Sequence, residues 1–349
     1  MSRRILFDGY WLADGPPSGK NVVLGMISGW ASAFPGDVLD VAFPSHLPRF
    51  SPPIGSHLKP VRSHLSNQGL WAAIRIGREA AGYDAVITQN FTPLVGSGDA
   101  RRATFLHDAM YKEHPEWFTR AEQAYLSLAS FGLRQADAVL TSSDAERSRI
   151  ARLFPNAEPR THAIGLAVPV ALATAGVADA PASSYEKPFI LSVGRLNVRK
   201  NLSRLIEAFE LSGLAQTHDL RIVGAPDGRF TAINTSGAVR FTGGISDAEL
   251  ASLYRACDFF VFPSLDEGFG LPLIEAAHFG APSAASDIAA FRELGVAEAL
   301  FDPKDTAGIA AALRVMADEN GRSVRHTVVS PSAVSWESNA RRARAAIFN

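Results

Sequence analysis

The stretch Phe259–Pro282, FFVFPSLDEGFGLPLIEAAHFGAP, constrains the fold of this chain more than any other. The apolar run Phe259–Phe262 predicts a buried strand, Gly268 and Gly270 mark a tight loop, and Pro272 suits the first turn of a helix. The order strand, glycine loop, helix belongs to α/β architecture with a parallel sheet. Glu267 precedes the loop, and Glu275 is expected in the first turn of the helix. A helix N-terminus behind glycines leaves N–H groups free and favours an anion, so the two acids need a different partner. Carboxylates accept hydrogen bonds from hydroxyls. A ligand with phosphates in the middle and hydroxyl-rich groups at both ends fits both halves of the stretch, and a nucleotide sugar is such a ligand.

The string PSLDEGFGLPLIEA resembles the E-x7-E signature of the glycogen-synthase-like retaining glycosyltransferases of family 4, whose fold is GT-B. The resemblance implies two Rossmann-like domains with parallel sheets facing each other across a cleft. It assigns Glu275 to the ribose hydroxyls of the donor and Glu267 to hydroxyls of the transferred sugar. Backbone N–H groups around Gly268, Phe269, Gly270 and Leu271 are expected at the diphosphate.

With 349 residues, 47% of them hydrophobic, the chain can bury two ordinary cores. Its formal charge of −1 offers no general attraction to nucleic acid. The lone cysteine, Cys257, excludes an internal disulfide and fits a reducing cytoplasm. No N-terminal run has the length and flanks of a signal peptide, and no apolar stretch reaches the roughly 18 residues of a membrane helix. The expectation is a cytoplasmic protein with at most weak peripheral contact at the inner face of the membrane.

Taken in order, Arg3–Asp8 reads as a first strand, followed by a loop containing Gly15-Pro16-Pro17-Ser18-Gly19-Lys20-Asn21. Too few residues separate Gly15 from Gly19 for a P-loop, and Asn21 stands where a magnesium-binding Ser or Thr belongs. The family carries a small glycine loop here, which implies that Gly19 brings backbone to the donor phosphates; Lys20-Asn21 departs from the family pattern. A helix is expected over Val22–Ala33 and a strand over Asp40–Phe43. A long loop is expected over Pro44–Ser66, where His46, His57 and His64 lack metal-ligand spacing. Trp71–Ala81 reads as a helix and Asp84–Thr88 as a strand.

Ala103–Leu106 is a further strand with His107-Asp108 at its carboxyl end, where open α/β sheets bind ligands. The string FLHDAMYKEHPEWF is similar to a segment in a bacterial mannosyltransferase-type branch of the same family, which implies that His107 faces the donor sugar near its anomeric carbon. His114 is read as a local cap or packing residue. The aromatics Phe118, Tyr125 and Phe131 of the next helical pattern are read as core.

ALATAGVADAPASSYEK, residues 171–187, reads as a linker between a first domain, 1–170, and a second, 188–330. The second opens with the strand Pro188–Val193, then Gly194-Arg195 and a helix from about Asn201. Arg195 and Lys200 bracket that helix start as a diphosphate clamp, and VGRLNVRKN resembles the GR…KN segment that holds the donor diphosphate in the family. Residues 331–349 form a last helix, which the resemblance implies crosses back to the first domain.

The chemistry expected is transfer of a hexose, with a lean to mannose, from a nucleotide diphosphate sugar to a hydroxyl of a saccharide or lipid-linked acceptor. The resemblance implies that configuration is retained, and Arg195, Lys200 and the loop amides are expected to stabilise the departing phosphate with His107 and Glu267 at the sugar. The sequence contains no Asp-x-Asp triplet, and neither metal nor other cofactor is expected. Three competitors share parts of this pattern: a glycosidase with paired acids, which leaves Arg195 and Lys200 idle; a nucleotide-sugar epimerase; and a silent nucleotide-sugar-binding protein.

Overall fold

The computed structural model describes residues 1–175, 186–226, 237–318 and 335–349. The chain divides into two compact units, Met1–Pro169 with Ser332–Asn349, and Val170–Pro331.

The first unit is built on a seven-stranded parallel sheet. Its strands are β1 (Arg4–Asp8), β2 (Val38–Pro44), β3 (Ser56–Val61), β4 (Ala85–Gln89), β5 (Arg101–Phe105), β6 (Ala138–Thr141) and β7 (Thr161–Ala163), in the spatial order 3-2-1-4-5-6-7. The continuous apolar runs follow from helices covering both faces. The centre of the sheet, Ile5–Phe7 and Ala85–Ile87, is fully buried, and Trp30, Trp71 and Phe105 fill the layers beside it. Two edge strands differ from the sequence expectation. Residues Ser56–Val61, expected as loop, pair in parallel with β2, and Thr161–Ala163 extends the far edge. Both are short or half-exposed and carry little apolar pattern to announce them.

The helix Pro17–Ala33 begins five residues before its expected start, because Pro17 occupies its first turn, where a missing N–H costs nothing. Further along, Gly25 and Gly29 cut a notch that receives Trp336 from the terminal helix Trp336–Phe348. A Cβ on Gly29 would fall 2.1 Å from the Trp336 carbonyl oxygen. The seated indole donates from Nε1 to the Val168 carbonyl at 2.9 Å, and Arg344 reaches Asp37 at 3.2 Å and the Met1 carbonyl at 2.8 Å. The terminal helix thus completes the core of the first unit. Phe131 departs from the core reading: it is 62% exposed on the helix Arg120–Gly132, whereas Tyr125 packs on Phe91.

The second unit carries a six-stranded parallel sheet of β8 (Phe189–Val193), β9 (Asp219–Val223), β10 (Val239–Gly243), β11 (Phe259–Phe262), β12 (Ser283–Ser286) and β13 (Ala299–Phe301), in the order 10-9-8-11-12-13. Ile190, Leu220, Phe259 and Val261 of the sheet form one core with Leu205 and Phe209 of the helix Leu202–Ser212 and with Ile309 and Leu313 of the helix Thr306–Ala317. The stretch expected as linker, 171–187, begins inside a short helix, Val170–Ala173, and its residues 176–185 lie outside the described residues. Residues 319–330 of the second domain and 331–334 of the terminal segment lie outside them too.

The notch yields a direct test. Gly29→Ala should destabilise the protein by about 1–3 kcal/mol, because the atom it meets is backbone and cannot rotate away. Urea denaturation followed by tryptophan fluorescence reads the loss, and an unchanged midpoint would show that the Trp336 seat contributes nothing.

Candidate functional site

In the second sheet the strand order reverses between β8 and β11, and a doubly wound sheet binds ligands outside the carboxyl ends at such a switch. The loops that leave these two strands carry the predicted residues. After β8 comes Gly194, at φ +154°, then a 3₁₀ turn over Val198–Lys200. A Cβ on Gly194 would fall 2.9 Å from the Lys200 Cε, so the glycine lets the lysine stem lie along the strand end. After β11 comes the loop Pro263–Gly270.

Lys200 Nζ donates to Glu267 Oε1 at 2.5 Å and stands 4.5 Å over the Phe262 ring. Ser264 Oγ donates to the same carboxylate oxygen at 2.8 Å, and Arg199 pairs with the other. The two loops are also joined through backbone, Leu265 N–H to the Arg199 carbonyl at 2.9 Å, with Arg199 Nη1 donating to the Asp266 carbonyl at 3.1 Å. Burial pushes the Glu267 pKa up, but Arg199 and Lys200 together outweigh it and hold the carboxyl at about 2. Burial lowers Lys200 to about 8, against the pull of Glu267. The Lys200 ammonium has three N–H donors and gives one to Glu267, which leaves donors that fit an anionic ligand.

Asn201 sets this geometry. It adopts a left-handed conformation, φ +55°, and its buried amide donates to the carbonyls of Pro263 at 3.1 Å and Pro303 at 2.7 Å. Lys200 is therefore held at a fixed height beside the glycine loop. Gly270, at φ +113°, packs so closely on Phe291 that a Cβ would come within 2.7 Å of its ring. The backbone N–H groups of Phe269, Gly270 and Leu271 donate to none of the described residues. The helix begins at Leu271, so Glu275 is its fifth residue, in the second turn and not the first as expected. Its carboxylate is 7% exposed and accepts from the Tyr254 hydroxyl at 2.9 Å. Burial raises its pKa to about 7.

The structure thus brings Lys200, Glu267 and the Gly268–Leu271 loop together, with Glu275 one helical turn on. Arg195 is exposed and makes no ion pair among the described residues; at Glu267 the second cation is Arg199. Arg199, Asn201, Ser264 and Tyr254 were not singled out from sequence. Arg199 and Asn201 flank Lys200 inside the quoted VGRLNVRKN string, and nothing in the spacing marks Tyr254.

His107 lies in the first unit, just past β5. Its Nε2 faces Gln89 Oε1 at 2.9 Å, which puts the ring proton on Nε2 and leaves Nδ1 as an acceptor. Phe105 and Trp11 pack on the imidazole at 4.8 and 4.9 Å, and burial lowers its pKa to about 3, so the ring is neutral. The Asn90 side chain accepts from the His107 N–H at 3.1 Å, and Glu146 accepts from the Ala109 N–H at 2.8 Å. Gly19 is not in a loop. It is the third residue of the helix Pro17–Ala33, buried under the Trp11 indole, where a Cβ would fall 2.4 Å from the ring. Its lack of a side chain makes room for the tryptophan that braces His107. No group of three His, Cys, Asp or Glu side chains among the described residues is placed to share a metal ion.

Residues 187–319 match the family model of glycosyl transferases group 1. Over 260 residues the chain is 27% identical to the O-antigen chain mannosyltransferase B of Escherichia coli, a match covering 68% of this chain and 67% of that one. It is 34% identical over 172 residues to the serotype-specific mannosyltransferase WbdA of Escherichia coli, covering 45% of this chain and 21% of WbdA. The chain thus spans about a fifth of the length of WbdA. Its fold is similar to that of Anabaena Alr3699/HepE in complex with UDP-glucose, with TM-score 0.69, 17% identity, and 98% of each chain covered. These matches support a GT-B glycosyltransferase of the family 4-like kind. The two parallel sheets have the architecture of that fold, as the E-x7-E resemblance implied.

Asn201→Ala removes two buried hydrogen bonds and strains the left-handed turn. A stability loss of about 3 kcal/mol is expected in urea denaturation. A loss below about 0.5 kcal/mol would show that the amide does not hold the two loops.

Proposed function

We propose that the protein is a retaining hexosyltransferase that moves a hexose, mannose by preference, from a nucleotide diphosphate sugar to a hydroxyl of a saccharide or lipid-linked acceptor in cell-surface polysaccharide or glycolipid synthesis. One observation carries the donor side of this reading. Lys200, its ammonium holding Glu267 with donors to spare, stands at the switch of a doubly wound sheet beside the open amides of Phe269–Leu271. A diphosphate entering there gains charge-assisted hydrogen bonds from preorganised donors, and the same donors stabilise the charge that grows as the anomeric bond breaks. The reading needs no metal, because protein cations and amides face the leaving group. HepE, a structural neighbour, binds UDP-glucose, and the mannosyltransferase relatives favour mannose.

Glu275 takes the ribose hydroxyls, and Glu267 faces hydroxyls of the transferred sugar while it holds its two cations. Arg195, exposed after β8, joins Lys200 on the diphosphate, and Gly19 carries the family position for backbone contact with the donor. His107 acts at the sugar as a neutral hydrogen-bonding group. The acceptor hydroxyl attacks on the face from which the phosphate leaves, and the leaving phosphate takes its proton, so no side chain is required as general base. We place the enzyme in the cytoplasm, at or near the inner face of the membrane. No helix of the described residues is long and apolar enough to cross a membrane.

Mass spectrometry of a panel of nucleotide sugars, with and without candidate acceptors, tests the reaction. Turnover that requires acceptor and leaves the anomeric configuration unchanged is the expected result. Epimerised donor without acceptor would overturn the transferase reading. Lys200→Ala should weaken binding of GDP-mannose or UDP-glucose by about tenfold or more; wild-type affinity in calorimetry would remove Lys200 from the donor site. His107→Ala should lower kcat by about 10²-fold with little change in donor affinity. Equal kinetics in the two proteins would take His107 out of the mechanism.

A further inference from the structure

We propose that Tyr254, which is fully buried, is the positioning residue for Glu275: it occupies one carboxylate oxygen and so aims the other at the donor's hydroxyls. The inference rests on Glu275 being the acceptor of those hydroxyls, and it adds a residue that no sequence motif marks.

Tyr254 sits near the end of the helix Asp247–Ala256, whose start is fixed by a capping box between Ser246 and Glu249. Its ring is stacked on Phe279, with centroids 5.7 Å apart, and set edge-on to Phe260 at 5.6 Å. The phenol is held on both sides and cannot swing. Its hydroxyl lies 2.9 Å from Glu275 Oε2 and 3.3 Å from the Pro272 carbonyl. One proton serves one acceptor well, and the shorter contact is to the carboxylate. Glu275 Oε1 has no partner among the described residues.

The contact also sets when that oxygen is charged. Burial raises the Glu275 pKa to about 7, and Asp247, at the start of the same helix as Tyr254, pushes the same way. The Tyr254 hydrogen bond and the Lys200 ammonium push it down. Burial and Glu275 keep the phenol itself protonated far above neutral pH, so it remains a donor over the whole working range. A hydroxyl bonds a carboxylate more strongly than a neutral carboxyl. Donor affinity should therefore rise as Glu275 ionises through about pH 7 and fall again as Lys200 loses its proton near about pH 8. Tyr254 sets the position of the acid limb alone.

The test is calorimetric binding of GDP-mannose and of UDP-glucose, without acceptor, from about pH 5 to about pH 9, to the wild type, Tyr254→Phe, Glu275→Gln and the double variant. Nucleotide sugars are chosen because their diphosphate does not titrate in this range. Tyr254→Phe keeps both ring contacts. Its acid limb should move to higher pH, with affinity for the better donor down about tenfold at pH 7 and the alkaline limb unmoved. Glu275→Gln should lack the acid limb, and adding Tyr254→Phe to it should change affinity less than about twofold. An acid limb in Tyr254→Phe identical to wild type overturns the proposal while leaving Glu275 at the donor. Wild-type binding by Glu275→Gln instead overturns the assignment of Glu275 itself. If Tyr254→Phe melts before it can be titrated, the comparison of wild type with Glu275→Gln still decides: an acid limb shared by both overturns the proposal.

Discussion

The site depends on the contact between Lys200 and Glu267. Taking two such groups out of water is expensive, and their attraction offsets the cost only when the geometry is tight and further hydrogen bonds complete both shells. Here it is tight: 2.5 Å to Lys200, Arg199 on the second oxygen, Ser264 on the first. The pair also spans the loops that leave β8 and β11, so the ion pair is the bolt that holds those loops in register and, in the proposed reaction, the binding chemistry as well. A hydrophobic pair could bolt the loops, but it would leave no ammonium for the diphosphate of the proposed donor.

Each charge of the cluster has backbone behind it. Gly194 gives the lysine stem its path, and Asn201 ties the turn to the carbonyls of Pro263 and Pro303. Phe262, at the end of β11, presents its ring to the ammonium. The electrostatics of Glu267 and Glu275, eight positions apart, then diverge for a plain reason. Glu267 has two cations and stays ionised at about pKa 2, whereas Glu275 has a phenol and a more distant lysine and sits near 7. The same residue type on two sides of a glycine loop acquires two characters from its neighbours, as expected where burial and partners compete.

Much of this was legible in the sequence, because glycines, apolar runs and a pair of acids are local signals. The strands β8 and β11, the loop at Gly268–Gly270 and the pairing of Lys200 with that region all follow from spacing and resemblance. What was missed depends on contacts between distant segments. The helix start at Pro17 was hidden because Pro16-Pro17-Ser18-Gly19 reads as a turn, and only the Trp11 indole explains the glycine inside it. The edge strand Ser56–Val61 is half-exposed and so lacks alternation strong enough to see. Arg199 was not singled out, because only the path of the chain shows that it reaches Glu267. Tyr254 lies 21 residues from Glu275, beyond any motif window.

The seat of Trp336 between Gly25 and Gly29 carries a consequence for how the protein is made. The first unit draws one core helix from residues 336–348, which are made only after every residue of the second has been synthesised. During translation the helix Pro17–Ala33 must wait with its glycine notch empty and its apolar face uncovered, while the intervening unit is free to close on itself. Completion of the amino-terminal half is thereby deferred until the second unit has been made, and a ribosome that stalls early leaves behind a body that is sticky along that groove.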